Sequence, residues 1–301
     1  MAILVTGGAG FIGGHTLQEL QRTYPGMKIR CLDNLTTGYK ANIPDGVEFI
    51  QGDVCNFETV GSLVNDSLDG IIHLAADSRV LPSLKSPELA RKSLENNLVG
   101  TLNVLTAILN TGKRIPFVYA GSSTAYGDHP APQGEDLLPR VQSPYSAGKL
   151  AGELMIRSYV VTFNIHATIL RYFQVYGPGQ PSEGSYALVT GIFLKQANEG
   201  KPLTIEGDGS QSRDFVHVFD VARANVAALK IDHQGFPINI GTGVAYSVKS
   251  LADMLSKDQI FLPARKIDLP ATLSTTKIAR DLLGWESSIS LEDGMKALLK
   301  P

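Results

Sequence analysis

The chain is short of cysteine, of clustered histidine, of long apolar runs and of charge of one sign. Two cysteines in 301 residues, Cys31 and Cys55, are too few for a disulfide scaffold, and usage this sparse fits a reducing compartment with core thiols. The six histidines stand singly, without an HExxH pattern or paired cysteines, so no metal centre is expected. No apolar run reaches the ~20 residues of a membrane span. The N-terminus lacks the basic start and cleavage pattern of a signal peptide, and a cytoplasmic protein is expected. With 27 Lys and Arg against 29 Asp and Glu, a net charge of −2 gives no electrostatic reason to expect nucleic acid or an anionic membrane as partner. Internal repeats and low-complexity tails are absent too.

What the chain has is a 43% hydrophobic composition, enough for a large core. Short runs rich in β-branched residues, "AILVTG", "KIRCLD", "VEFIQGD", "GIIHLAA", "PFVYAGSS" and "HATILRY", read as strands buried on both faces, the pattern of a parallel sheet. Between them lie segments of helical period, among them "FIGGHTLQELQRTY" and "SPYSAGKLAGELMIRSYVVTF". This alternation predicts the α/β class, a doubly wound parallel sheet through about Tyr172. The Pro/Gly-rich "VYGPGQPSEGSY" then breaks the rhythm. Beyond it a helix, a strand "LTIEG", a loop "DGSQSRDFVHVFD", a helix, a strand "PINIGTG", a short helix and a last helix from about Thr275 are expected. The domains are read as 1–172 with a return segment at about 213–244, and 173–212 with 245–301 as a smaller C-terminal substrate-binding α/β domain. The crevice between them is the expected ligand site.

The stretch "VTGGAGFIGG" holds five glycines in ten positions directly after the first strand. Gly7, Gly10 and Gly13 allow a tight turn, close approach of backbone N–H groups to a pyrophosphate, and close packing of the following helix, whose N-terminus favours negative charge. Asp33 ends the second strand twenty residues beyond Gly13, where a carboxylate accepts ribose hydroxyls and repels a ribose phosphate. A Rossmann-like site for NAD rather than NADP is therefore expected. Asp53, after the third strand, is a candidate for the adenine side or an ordinary turn aspartate.

Tyr145 and Lys149 stand four residues apart in "YSAGK", one turn along one helix face. A phenol with a pKa of about 10 is a poor base until a nearby cation stabilises the phenolate, so the pair suits acid/base work; alone, it also fits an exposed helix surface. Ser122 follows an apolar strand at the sheet edge where open α/β proteins bind ligands, and its hydroxyl can share the hydrogen bond to a reacting oxygen.

In order and spacing, TGGAGFIG, Asp33, GDV, HLAA, SSTAYG, YxxxK, "LRYFQVYGP", "GDGSQSRDFVHVFDVARA" and "NIGTG" resemble the extended short-chain dehydrogenases/reductases. More narrowly the chain resembles nucleotide-sugar epimerases of the UDP-glucose 4-epimerase type. That resemblance implies Tyr145 as acid/base at the sugar 4-hydroxyl, Lys149 on the nicotinamide ribose, and Ser122 completing the triad. It places Phe11, Ile12, Asn34, Val54, Leu74, Ala75, Ala76, Asn97 and Tyr172 with the glycines, Asp33 and Asp53 around NAD. Ser123, Gln174, Arg213, Arg265, Asp268 and Thr272 fall to the nucleotide-sugar substrate, Arg213 and Arg265 at the diphosphate and Asp268 at the ribose. A homodimer formed by the helices of about 90–110 and 146–163 is also implied.

Departures bear on the reaction. The subgroup usually reads RYFN and YGPRQ, whereas Gln174 and Gly179 stand here; Arg79 leans towards the sugar side without an assigned role. The resembling 4,6-dehydratases carry an acidic pair after the serine, where this chain has Ser123 and Thr124, so simple C4 epimerisation of a UDP-hexose leads. Another reaction of the same family (C2 epimerisation, dehydration or 4-keto reduction) and a non-catalytic NAD sensor remain as alternatives. In the resembling epimerases a tyrosine at the position of Thr272 restricts the pocket to plain hexoses, and the resemblance therefore implies that the N-acetylated pair is accepted here, as well as or instead of the plain one.

Overall fold

The computed structural model describes residues 2–78, 80–184, 187–264 and 269–299; the candidates Arg79, Arg265 and Asp268 lie outside them. In chain order the elements are β1 (Ala2–Thr6), α1 (Phe11–Thr23), β2 (Lys28–Asp33), β3 (Glu48–Gln51), α2 (Phe57–Leu63), β4 (Gly70–His73), α3 (Val80–Ser83), α4 (Pro87–Asn110), β5 (Phe117–Ser122), α5 (Pro144–Phe163) and β6 (Ala167–Tyr172). There follow β7 (Gln174–Tyr176), α6 (Val189–Asn198), β8 (Leu203–Glu206), β9 (Ser212–His217), α7 (Val218–Ala228), β10 (Pro237–Ile240), β11 (Ala245–Ser247), α8 (Val248–Leu255), β12 (Gln259–Leu262), α9 (Lys277–Leu283) and α10 (Leu291–Leu298).

Seven strands form one sheet in the order β10-β6-β5-β4-β1-β2-β3, and every pairing in it is parallel. Alternate residues of each strand serve opposite faces. Ile3 and Val5 join Leu17, Leu20 and Val221 on the side of α1 and α7. Ala2 and Leu4 join Val104, Leu105 and Ile156 on the side of α4 and α5. This is the Rossmann-like α/β architecture that the continuous apolar runs predict. The two helices nearest the chemistry start alike. The Ser86 hydroxyl accepts the Leu89 N–H ahead of Pro87, and the Ser143 hydroxyl accepts the Ser146 N–H ahead of Pro144, a serine cap followed by a proline whose missing N–H costs nothing there. Among the described residues, no helix is long and apolar enough to cross a membrane.

The second half departs from the sequence reading in its strands and in its last helix: β7, β11 and β12 stand where no strand is expected. The expected loop "DGSQSRDFVHVFD" contains β9, which pairs with β7 in parallel and with β11 antiparallel; its buried Asp214 and His217 break the apolar run that marks a strand. The single last helix is two. Gly284 takes a left-handed φ of +58°, and the Trp285 indole N–H donates to the Asp220 carbonyl at 2.8 Å, which ends α9 before α10 begins.

Asp214 joins these parts. Its fully buried carboxylate accepts the N–H and hydroxyl of Thr242, both at 2.7 Å. It also accepts the Gly243 N–H at 3.0 Å, and the Ser274 N–H and hydroxyl at 3.0 and 2.6 Å. Removing it takes the acceptor from the buried N–H and hydroxyl of Ser274 and from the half-buried Thr242 N–H, at about 1–3 kcal/mol for each one unsatisfied. Asp214→Ala is expected to lower the urea midpoint by the equivalent of about 3 kcal/mol or more; a loss under about 1 kcal/mol would show that this junction carries little of the stability.

Candidate active site

A cleft of about 1110 Å³ runs along the C-terminal ends of the parallel strands. At one end lies the glycine loop. Gly7 has φ +73°, and a β-carbon there would come within 2.5 Å of the Ala75 nitrogen; at Gly13 it would come within 2.1 Å of the Gly7 carbonyl oxygen. Both contacts are with backbone, which cannot yield cheaply. Gly10 opens α1 without a side-chain cap, and the first turn holds no acidic residue, so its N–H groups and helix dipole face the cleft ready for an anion. Asp33 is buried, each oxygen taking one backbone N–H, from Ala9 at 3.0 Å and Leu35 at 2.8 Å. A carboxylate oxygen has two lone-pair sites, so capacity for ribose hydroxyls remains. Asn34 donates to Asp53 at 2.9 Å. Although burial opposes ionisation of Asp53, hydrogen bonds from Cys55 and Asn34 hold its carboxyl below the usual range. Phe11, Ile12, Val54, Leu74, Ala75, Ala76 and Tyr172 line the same stretch.

At the centre stand Ser122, Ser123, Tyr145 and Lys149, all on the cleft wall. Ser122 ends β5, and its hydroxyl shares a 2.9 Å hydrogen bond with that of Thr124. Tyr145 and Lys149 lie on one face of α5 because they stand four residues apart in it. Lys149 is 4% exposed; its ammonium donates to the Ala120 carbonyl at 2.9 Å and sits 4.9 Å from the centre of the Tyr119 ring. Burial pushes it down to about 8, partly opposed by the Glu153 carboxylate. Beneath it His73 is fully enclosed, and burial together with the Lys149 charge pushes its imidazole down to about 3, so it is neutral.

At the other end Gln174, Gly179 and Arg213 line the cleft. One guanidinium nitrogen of Arg213 donates to the Ser212 and Leu269 carbonyls at 2.7 and 2.8 Å, which fixes the arm of the side chain. Two expected residues are not on the wall. Asn97 is buried behind it, its side-chain amide accepting the Asp77 N–H at 2.9 Å and donating to the Asp77 carbonyl at 3.1 Å; it fastens the loop after β4 instead of facing the cleft. Thr272 also stands outside the lining, its N–H on the Ser212 carbonyl at 3.0 Å. Residues that the sequence reading missed are Thr124, Lys92 and Asn96. The four-residue spacing of Lys92 and Asn96 on α4 was the available signal.

The profile of the NAD dependent epimerase/dehydratase family matches residues 3–241. A putative UDP-glucose 4-epimerase of Methanocaldococcus jannaschii is 34% identical over 99% of this chain and 97% of its own length. A UDP-glucuronate 4-epimerase of Thermodesulfobacterium geofontis is 32% identical over 97% of this chain and 93% of its own. The crystal structure of the UDP-glucose 4-epimerase of Thermotoga maritima with UDP-glucose superposes at a TM-score of 0.91 with 32% identity, covering 98% of this chain and 96% of that one.

The glycine cradle, the uncapped helix start and the Asp33 carboxylate fit NAD, the cofactor of that family. Asp33→Ala is expected to weaken NAD binding and narrow its advantage over NADP. Gly13→Ala is expected to weaken both dinucleotides alike, by tenfold or more, because the loop backbone has to move. Titration of each variant with both dinucleotides checks this; unchanged selectivity in Asp33→Ala would move discrimination elsewhere.

Proposed function

The chain belongs to the NAD-dependent epimerase/dehydratase family, and on that premise we propose that it inverts C4 of a nucleotide-linked hexose, in the first place the UDP-glucose/UDP-galactose pair. The observation that carries the reading is the buried Lys149 ammonium one helical turn from Tyr145, on a wall shared with Ser122 and continuous with the glycine loop. The residues after Ser122 are Ser123 and Thr124, so no carboxylate stands there for proton transfer at C5 and C6, which favours epimerisation over dehydration.

NAD, held by the glycine loop, the α1 N-terminus and Asp33, would supply the hydride acceptor and donor for C4. Tyr145 takes the proton of the 4-hydroxyl as the carbonyl forms and gives it back as the hydroxyl re-forms. The Lys149 ammonium lowers the cost of the phenolate that this exchange requires. The Ser122 hydroxyl, already paired with Thr124, donates to the same sugar oxygen. Arg213 grips the diphosphate, so the hexose can turn while the nucleotide stays fixed. The reading includes a division of labour, with 1–172 and about 213–244 holding the cofactor and 173–212 with 245–301 holding the nucleotide sugar. It includes a homodimer through α4 and α5, whose Leu94, Leu102, Leu154 and Val161 are solvent-exposed apolar side chains. It extends to the N-acetylated pair, since Thr272, held beside Arg213 by its N–H on the Ser212 carbonyl, stays off the cleft wall and takes no space in it.

Tyr145→Phe is expected to lose ~10²–10⁴-fold in rate with NAD retained, measured by turnover of a panel of UDP-, dTDP-, GDP- and CDP-sugars with products identified by NMR; near wild-type turnover sinks the assignment. The rate is expected to fall as the pH rises past about 8, where Lys149 gives up its proton. Thr272→Tyr is expected to lower kcat/KM for the acetylated pair relative to the plain one, and an unchanged ratio removes Thr272 from the choice of substrate.

A further inference from the structure

Below Lys149 the same face of α5 carries Glu153, so that Tyr145, Lys149 and Glu153 follow at four-residue steps, a column of three neighbours along the helix. Glu153 is 3% exposed and Arg171, on β6, is 4% exposed. The Arg171 Nε meets both carboxylate oxygens at 3.1 Å, and Nη2 meets Oε2 at 2.6 Å. The Arg171 guanidinium also lies 4.8 Å from the Tyr126 ring centre. Lys149 and Glu153 rest on successive peptide units of one strand. The ammonium is on the Ala120 carbonyl, and a β-carbon at Gly121 would come within 2.8 Å of Glu153 Oε1. Gly121 therefore leaves the space that the carboxylate fills beneath the end of β5.

The surroundings of Lys149 offer it no other anion among the described residues. From β4 it meets neutral His73, from β5 the Tyr119 ring, and on its own helix Tyr145 and Glu153. From β6 comes Arg171, and from the turn after β5 Tyr126 beside it. From α3 the nearby group is the Ser83 hydroxyl, which accepts the Tyr145 N–H. Helix α4 packs on this face through Leu94 and Asn97 against Gly148, neither of them charged.

We propose that the buried Glu153–Arg171 pair is a positioning element for Lys149, holding a carboxylate under the ammonium so that Lys149 stays charged at its post beside Tyr145. Burial drives the Glu153 carboxyl upward, and the Arg171 guanidinium opposes this. Arg171 keeps Glu153 ionised, Glu153 keeps Lys149 protonated, and Lys149 keeps the Tyr145 proton mobile. The inference rests on the Tyr145–Lys149 reading for its catalytic meaning but not for its electrostatics.

The test follows the titration of Lys149 itself by NMR, in full-length protein with NAD bound and lysine isotope-labelled at the ε-carbon, the resonance assigned by its loss in Lys149→Arg. In Glu153→Gln, and in Glu153→Gln/Arg171→Met, which replaces the pair by neutral groups of similar volume, the Lys149 titration is expected to move down by about one pH unit or more. The alkaline limb of kcat is expected to follow it. Glu153→Asp keeps the charge on a shorter arm and is expected to titrate close to wild type. A role in packing alone predicts the reverse ranking, with the isosteric Gln the milder change and no movement of the titration. An unmoved Lys149 titration in the folded neutral variants, or Asp shifting it as far as Gln, overturns the proposal. A titration that moves without the kcat limb following supports the pairing and instead counts against Lys149 as the partner of Tyr145.

Discussion

The cleft exists because one carboxylate, Asp214, ties three distant stretches of chain into a single junction. Strand β9, the turn at Thr242 and Gly243 that leaves the large sheet, and the returning segment at Ser274 all meet on its two oxygens. One of these stretches, β9, reaches the cleft wall through Arg213. Arg213 precedes Asp214 on β9, and Thr272 lies two residues before Ser274. Gly241, which follows β10, would place a β-carbon 2.7 Å from Asp214 Oδ2, so the turn has to pass at backbone distance. A buried carboxylate satisfied by five donors is rigid in a way that apolar packing is not, since any displacement strands a donor. The Arg213 end of the cleft is thus located by directional bonds, while the sheet beneath it is held by non-directional burial.

A second tension runs through the centre of the site. Holding Lys149 at about 8 rather than the ordinary 10.5 corresponds to a cost on the order of 3 kcal/mol while the group is charged, at about 1.36 kcal/mol per pH unit. Between those two values the unfolded chain binds the proton and the folded one has lost it, so this group makes the fold more stable as the pH rises through that window. The charge that the proposed mechanism asks to serve Tyr145 is present only below it. Function and stability therefore ask opposite things of one side chain, and a buried counter-charge fixed by Arg171 is the arrangement that lets the charged form persist.

The sheet was legible because its strands are buried on both faces and read as unbroken apolar runs, and the cofactor end because glycine spacing and a following aspartate have no cheaper explanation as a set. Strand β9 was hidden by Asp214 and His217, polar residues whose burial is explained only by partners far along the chain. Asn97 was read as a support on the cofactor side, but its partner Asp77, twenty residues away, was hidden because nothing in the sequence tells which way a helical amide points. The Glu153–Arg171 pair was invisible for the same reason. A glutamate on a helix reads as solvated surface, and an arginine in "ILRY" reads as a strand edge. Each becomes intelligible only once α5 is laid against β6.

The departure at Gly179 shows how a local backbone decision reaches the substrate. The resemblance leads one to expect an arginine there, and a β-carbon at this position would meet nothing within 4 Å, so space is not what excludes it. Conformation is. Gly179 has φ +80°, a region that side-chain-bearing residues enter only at a cost. The preceding residue is pinned, the Pro178 carbonyl accepting a 2.9 Å hydrogen bond at His15 Nε2 on the cofactor helix. The loop is therefore shaped by its tie to α1, and glycine is the residue that this shape admits. Among the described residues the cations on the cleft wall are then Lys92, Lys149 and Arg213. Lys92 acts on Asp53 at the cofactor end and Lys149 is committed beneath Tyr145. Arg213 stands at the far end of the cleft with one guanidinium nitrogen fixed by two carbonyls, and it is the cation that the proposed function assigns to the substrate diphosphate.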